Sequence, residues 1–205
     1  MERTKINIYG ASGHGKVIFD VLRSQDLEIH AIFDDNPEVK EFLNYTVIHK
    51  PKGDALRLPT VFAIGDNKIR EKVTNKFQGI IADAVFHRSA VVSAISNLGE
   101  GTVIMPNAVV NAGTRIGKHC IVNSGAVVEH DVELGDFVHV APNTAITGNV
   151  KIGEGTQIGA GASIVPGITI GKWVSIGAGA VIIKDIPDYA IVVGNPGKII
   201  KYSNE

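Results

Sequence analysis

From Phe86 onward every sixth residue is large and apolar: Phe86, Val92, Leu98, Ile104, Val110, Ile116, and so on without insertion to Ile182. A period of six fits neither an α-helix nor a strand that alternates every second residue. It fits a chain that makes a short strand, turns, and makes another, each large residue pointing into one shared core. The residue two before each position is often small or β-branched (Thr102, Ala108, Thr114, Ala126, Thr144, Thr156, Ala162). Many of the residues that follow are Gly, Asn or Pro, which suit turns. This part of the chain therefore reads as a β-solenoid.

A longer period lies over the short one. Leu98-Gly99, Ile116-Gly117, Leu134-Gly135, Ile152-Gly153 and Ile170-Gly171 recur every 18 residues. Three hexads make one coil, the cross-section is a triangle, and residues 18 apart stack in columns. Ala112, His130, Gly148, Pro166 and Lys184 share one column; Ile121, His139, Gln157 and Ser175 share another. Of the 23 glycines, 17 lie in residues 86–205, so the architecture changes near Asp83 to His87. The expected domains are 1–83 and 84–205.

The first domain reads as α/β and Rossmann-like. Lys5 to Tyr9 forms a strand, Gly10-Ala11-Ser12-Gly13-His14-Gly15 a turn, and Lys16 to about Ser24 a helix. Glu28 to Phe33 is a second strand ending in Asp34-Asp35. Thr60 to Ile64 is a third, followed by Gly65-Asp66-Asn67 and a helix from Lys68 to Phe77. Glycines in such a turn let a pyrophosphate approach the backbone, and the helix N-terminus offers it unpaired N–H groups. Acidic residues after the second strand sit where such folds meet a ribose or base. The spacing Gly-x-x-Gly-x-Gly differs from the dinucleotide pattern, so a mononucleotide or nucleotide sugar is expected. The competing account is a tight turn that needs glycine for geometry alone.

Lys+Arg is 20 and Asp+Glu 21, a balance that argues against nucleic acid as a partner. The single cysteine, Cys120, excludes an intrachain disulfide. No apolar stretch approaches the roughly 20 residues of a membrane helix. The N-terminus MERTKINIYGAS carries no apolar leader, so a cytoplasmic location without membrane insertion is expected.

The repeats IGEGTQ, IGAGAS and VSIGAG resemble those of the hexapeptide acyltransferases, whose fold is a left-handed parallel β-helix. The tail Val193-Gly194-Asn195-Pro196-Gly197-Lys198 is similar to that family's closing segment, Gly-x-Pro-Ala-Lys, with Gly197 in place of alanine. Together with the YGASGHG turn, the Asp-Asp pair and IGDN, the chain resembles the sugar acetyltransferases of bacterial surface-glycan synthesis. That group includes bacillosamine-pathway N-acetyltransferases acting on UDP-linked 4-amino-4,6-dideoxy sugars, perosamine N-acetyltransferases using GDP sugars, and sialic acid O-acetyltransferases. The resemblance implies acetyl-CoA as co-substrate, a nucleotide-activated amino sugar as acceptor, a UDP-4-amino-4,6-dideoxy sugar foremost, and a homotrimer with sites at subunit interfaces.

Acyl transfer from a thioester needs a base, a partner to orient it, and N–H donors for the oxyanion. His130 is the candidate base: it is a bulky polar residue in a column otherwise holding Ala112, Gly148 and Pro166. Asp131 is the expected partner, with Glu129 as competitor. The resemblance adds Asn123 at the active site, and His139, Gly148, Ala160 and Ala178 as acetyl-CoA contacts. It also assigns Ser12, Gly13, His14, Asp34, Asp35 and Gly65 to the nucleotide sugar. His119-Cys120 reads as ordinary packing, and Trp173 as a packing or subunit contact. No metal is expected: a zinc site of the kind some solenoids carry uses a His-x-x-x-x-His pair, and the spacings here are 11 (His119 to His130) and 9 (His130 to His139). A nucleotide-sugar sensor without catalysis is the remaining rival class.

Overall fold

The structure is a computed structural model describing residues 4–203. Residues 1–3, on which the expectation of a missing leader partly rests, and 204–205 lie outside it. The chain opens with β1 (Lys5–Tyr9), α1 (Gly13–Ser24), β2 (Glu28–Phe33), the hairpin β3 (Glu41–Phe42) and β4 (Tyr45–Ile48), then β5 (Thr60–Phe62) and α2 (Asn67–Thr74). The sheet order is β3-β4-β2-β1-β5, and every pairing but β3–β4 is parallel. β1 lies between β2 and β5, so the order reverses beside it and leaves a crevice at the carboxyl ends of these strands. Helix α1 starts at Gly13, three residues before the expected start, because Ser12 takes the extended N-cap conformation. α2 begins at Asn67, where the carboxylate of Asp66 accepts the Ile69 N–H at 2.8 Å. The hairpin of β3 and β4 and the short helical turn Gly53–Arg57 were invisible to periodicity, being too short to show one.

The solenoid begins at Val85–Phe86 and builds three sheets, of eight, six and five strands, parallel throughout but for the closing hairpin of the first. Strands 18 residues apart pair in register, as in Ile121↔His139 and Val122↔Val140. The first face carries Val85, Val103, Ile121, His139, Gln157 and Ser175 outward; the second Val91, Val109, Val127, Ala145, Ser163 and Val181; the third Asn97, Arg115, Glu133, Lys151 and Thr169. The sixth-residue series fills the core: Ile104, Val122, Val128, Val140, Ile146, Ile158 and Ile164 are all fully buried. Each such side chain contributes about 1.5–3 kcal/mol over an exposed one. The threonines at corners are buried too, and each donates its hydroxyl to a carbonyl of the next coil, Thr102 to Gly117 and Thr156 to Gly171, both at 2.8 Å. That pairing is what makes a polar atom tolerable there.

The 18-residue glycine column has a steric cause. A Cβ on Gly135 would lie 2.6 Å from the Glu154 nitrogen, and one on Gly153 2.5 Å from that of Lys172. Coils stack too closely at this corner for any side chain. The last coil is closed by a hairpin of Ala190–Val193 with Lys198–Tyr202.

The two halves share a core. Val85, Val103, Met105 and Ile121 pack with Ile8, Ile18, Leu22 and Val61 of the α/β domain. The α/β domain therefore sits on the first face of the solenoid. No helix among the described residues is long and apolar enough to cross a membrane.

Candidate active site

The switch-point crevice, about 240 Å³, is lined by Tyr9, Gly10, Ser12, Asp34, Asp35 and Gly65 among others. It adjoins a larger cleft of about 600 Å³ bounded by Lys50, Lys72, Lys76 and Phe77, with Tyr9 and Asp35 common to both. The glycines of the turn divide by cause. Gly10, at φ +117°, and Gly15 are required by the fold: Cβ atoms there would lie 2.6 Å from the Ala63 oxygen and 2.5 Å from the Gly10 oxygen. Gly13 has nothing within 4 Å of such a Cβ, so the fold itself does not demand glycine there. Ser12 makes no capping hydrogen bond, which leaves its hydroxyl and the first turn of α1 open toward an anion.

The two aspartates differ. Asp34 holds the turn: its carboxylate accepts the Ala11 N–H at 2.7 Å and the Asn36 N–H at 2.8 Å. Asp35 accepts the Tyr9 hydroxyl at 2.6 Å and is otherwise exposed. Burial first, and then Asp35, push the Tyr9 phenol up, so it remains a donor.

His14 does not line the crevice. It turns toward the first face of the solenoid, its ring centroid 6.4 Å from that of His139. Asn123 Nδ2 lies 3.1 Å from His139 Nε2, so the amide donates and the imidazole carries its proton on Nδ1. Among the described residues His14 Nε2, His119 Nδ1 and His139 Nδ1 are buried without a partner at hydrogen-bond geometry, with the Gly65 backbone and the Gln157 side chain near His139. Burial and, second, the Arg70 charge lower the His14 and His139 imidazoles to about 4. His119 is lowered to about 4 by the same causes; its ring stacks on Phe137 at 5.2 Å, and the neighbouring Cys120 thiol is buried and pushed up to about 12. That pair is packing, as the sequence indicates. Trp173 fills the space above Gly155, with Lys68 Nζ 5.8 Å from its ring centroid.

Three depressed histidines make stability depend on pH. The unfolded chain takes up protons below about 6.5, while these three imidazoles resist until about 4. Stability should be complete above pH 6.5 and fall as pH drops through that window. Thermal unfolding at pH 7.5, 6.0 and 5.0 checks this; a flat Tm, or one that rises toward pH 5, refutes it.

His130 lies on the corner between the second and third faces, its side chain 57% exposed. Its Nδ1 is 2.9 Å from Asp131 Oδ2. Adjacent side chains meet because Asp131 adopts φ 58°, a left-handed bend. The competitor Glu129 is engaged elsewhere, accepting the Asn111 amide at 2.9 Å. The imidazole edge lies over Gly148, where a Cβ would be 2.7 Å from Cε1 and Nε2. Among the described residues no carbonyl accepts the Gly148 N–H. Since Nδ1–H faces a carboxylate, the lone pair of His130 is on Nε2 and points outward.

Apart from Ser12, Asp34 and Asp35 at the crevice, with Gly13 beside them, the expected site residues form two main clusters. His130, Asp131 and Gly148 share one corner; Asn123, His139, His14 and Gly65 gather at the seam between the α/β domain and the first face. In a triangular prism the corner between the second and third faces is the one farthest from the first. Ala160 and Ala178 are exposed on the corner that joins the first and second faces. Sequence reasoning missed Arg70 and Asn67, which lie buried in the seam. The signal available was the column Val85, Val103, Ile121, whose apolar side chains point out of the solenoid and so require a cover.

Two family models match the chain: the PglD N-terminal domain over residues 5–77, and the bacterial transferase hexapeptide repeat over 96–130 and 149–184. A histidine mutant of perosamine N-acetyltransferase from Caulobacter crescentus, in complex with CoA and GDP-perosamine, is 37% identical, with 96% of this chain and 97% of that chain covered and a TM-score of 0.89. The acetyltransferase domain of PglB from Neisseria gonorrhoeae is 34% identical over 97% of this chain and 100% of that one, TM-score 0.88, and is also known with acetyl coenzyme A. UDP-N-acetylbacillosamine N-acetyltransferase of Bacillus subtilis is 40% identical over 112 residues, which are 49% of this chain and 50% of that protein. The chain thus spans about half the length of this curated relative. With relatives 34% and 37% identical aligned end to end, the chain belongs to the hexapeptide-repeat acetyltransferases related to the bacillosamine- and perosamine-pathway sugar N-acetyltransferases.

Proposed function

We propose that this enzyme moves the acetyl group of acetyl-CoA onto the amino group of a nucleotide-linked amino sugar, with a GDP-linked sugar of the perosamine type first. The carrying observation is the end-to-end similarity, at 37% identity, to a perosamine N-acetyltransferase bound to CoA and GDP-perosamine. The order differs from the sequence expectation, which put a UDP-linked sugar first. The bacillosamine relative that favours UDP aligns over only half of either chain, so UDP is the second reading.

The nucleotide occupies the switch-point crevice and its adjoining cleft, with its phosphates at Ser12, Gly13 and the start of α1. Asp35 and Gly65 meet the nucleoside side. The sugar extends toward His14, Asn123 and His139, where Nε2 of His14 and Nδ1 of His139 are free to hydrogen-bond it, a role for His139 that differs from the acetyl-CoA contact expected from the resemblance. His130 Nε2 takes the proton from the amine as nitrogen attacks the thioester carbon. Asp131 holds the tautomer and stabilises the imidazolium. The Gly148 N–H donates to the oxyanion. The tetrahedral intermediate then breaks its C–S bond, the new amide departs on the sugar, and the thiolate takes the proton back from His130. Ala160 and Ala178 offer backbone contacts to the CoA chain.

The two clusters support an oligomer, and the family resemblance makes it a homotrimer. One chain places its His130 on the far corner from its own nucleotide domain, so a second copy must bring the halves together. The second face, with Val91, Val109, Val127, Ala145 and Val181 outward, supplies the apolar surface for that contact.

The test is thiol release from acetyl-CoA with GDP-, UDP- and CMP-linked amino and hydroxy sugars. Release with the GDP-linked amino sugar is the expected outcome. Release with the UDP-linked 4-amino sugar alone would establish the second reading. Acetylation of a sialic acid hydroxyl, or nucleotide binding with no thiol release, would overturn the proposal.

A further inference from the structure

Arg70 is 1% exposed and carries its charge into the seam between the two domains. Burial lowers its pKa to about 10, so it remains a cation at neutral pH. No ion pair to it occurs among the described residues. Instead all five of its N–H groups find neutral oxygen. Nε donates to the His119 carbonyl at 2.9 Å; one terminal nitrogen to those of Ile64 at 2.7 Å and Gly65 at 3.2 Å; the other to the Phe137 carbonyl at 2.9 Å and to Asn67 Oδ1 at 2.8 Å. Asn67 in turn donates to the Gly155 carbonyl at 3.0 Å.

These acceptors belong to two different parts of the machinery. Ile64 and Gly65 line the switch-point crevice. His119, Phe137 and Gly155 are stacked corner residues of three successive coils, and Phe137 lies two residues before His139. A buried cation is costly to desolvate, and one satisfied only by carbonyls gives little back in stability. The planar fork of arginine can hold five oxygens in fixed directions; the three donors of lysine cannot.

We infer that Arg70 is a positioning residue that sets the Gly65 loop against the solenoid wall carrying His139, and so governs affinity for the nucleotide sugar without touching it. This rests on the nucleotide-sugar reading of the crevice. A structural staple would lower Tm and leave the kinetic constants alone. A positioning residue splits them by substrate.

The experiment compares wild type with Arg70→Lys, which keeps the charge and loses the fork, and with Asn67→Ala, a milder cut of the same clasp. Binding of GDP and of UDP is followed by calorimetry, KM is measured for both substrates, and amide exchange is followed at Gly65 to Asn67. For Arg70→Lys, nucleotide binding and nucleotide-sugar KM should weaken by about tenfold while KM for acetyl-CoA stays within about twofold. Exchange at the loop should quicken while the coils from 139 to 182 are unchanged. Asn67→Ala should show the same split at about threefold, which keeps the test alive if the lysine variant does not fold. Loop exchange and nucleotide binding unaltered in both variants would overturn the role of Arg70 alone. Wild type that binds neither nucleotide would overturn the reading of the crevice and this role with it.

Discussion

Replacing His130 by alanine should lower kcat by about 10²–10⁴-fold, the range a positioned general base supplies, with KM for acetyl-CoA little changed. The side chain is more than half exposed and lies against Gly148, so its removal opens no cavity in the core and Tm should hold. Asp131→Asn should give a smaller loss, since an amide can still hold the imidazole but cannot stabilise its charged form. Steady-state kinetics with the preferred amino sugar, run beside thermal unfolding, checks both. A His130→Ala protein that keeps wild-type kcat would remove the base from this corner of the solenoid.

Mixing two inactive variants should restore activity. His130→Ala lacks the proposed base, and an Asn123→Ala/His139→Ala protein lacks the seam side chains. If each site draws His130 from one copy and the seam from another, equal and random mixing rebuilds about one intact site in four. The measurement is activity after the two are unfolded and refolded together, or co-expressed, against each refolded alone. Recovery near a quarter of the wild-type rate per site is expected. No recovery from mixed oligomers would mean that one chain completes its own site, against the separation of the two clusters. Single-chain chemistry would also remove the main reason to expect a trimer.

Much of the architecture was legible in the residues because its causes are local and repeat. An apolar residue every sixth position and a glycine every eighteenth each answer a packing demand that recurs in every coil, so Ile104, Val122 and Ile146 could be placed in the core by counting. The β1–turn–α1–β2 unit was equally plain, its strands at Lys5–Tyr9 and Glu28–Phe33 matching the expected ranges. His130 stood out because a column of small residues made it anomalous.

The seam was another matter. Sequence periodicity says which residues share a column, and carries no information about what docks on a column from elsewhere in the chain. Whether His14 faces the crevice or the solenoid depends on how α1 is packed against the first face. The choice of Asp131 over Glu129 depends on a left-handed bend at Asp131 and on Asn111 one coil away holding the glutamate. Arg70 reads as one more charge on a short helix, and only the closure of two domains around it turns all five of its donors onto carbonyls. The solenoid, its register and the β1–turn–α1–β2 unit could be read from the residues alone, because they follow from local patterns of burial and turn chemistry. The tertiary structure decided which polar side chains meet, because such meetings depend on directions across a corner and across a domain boundary that no local pattern encodes.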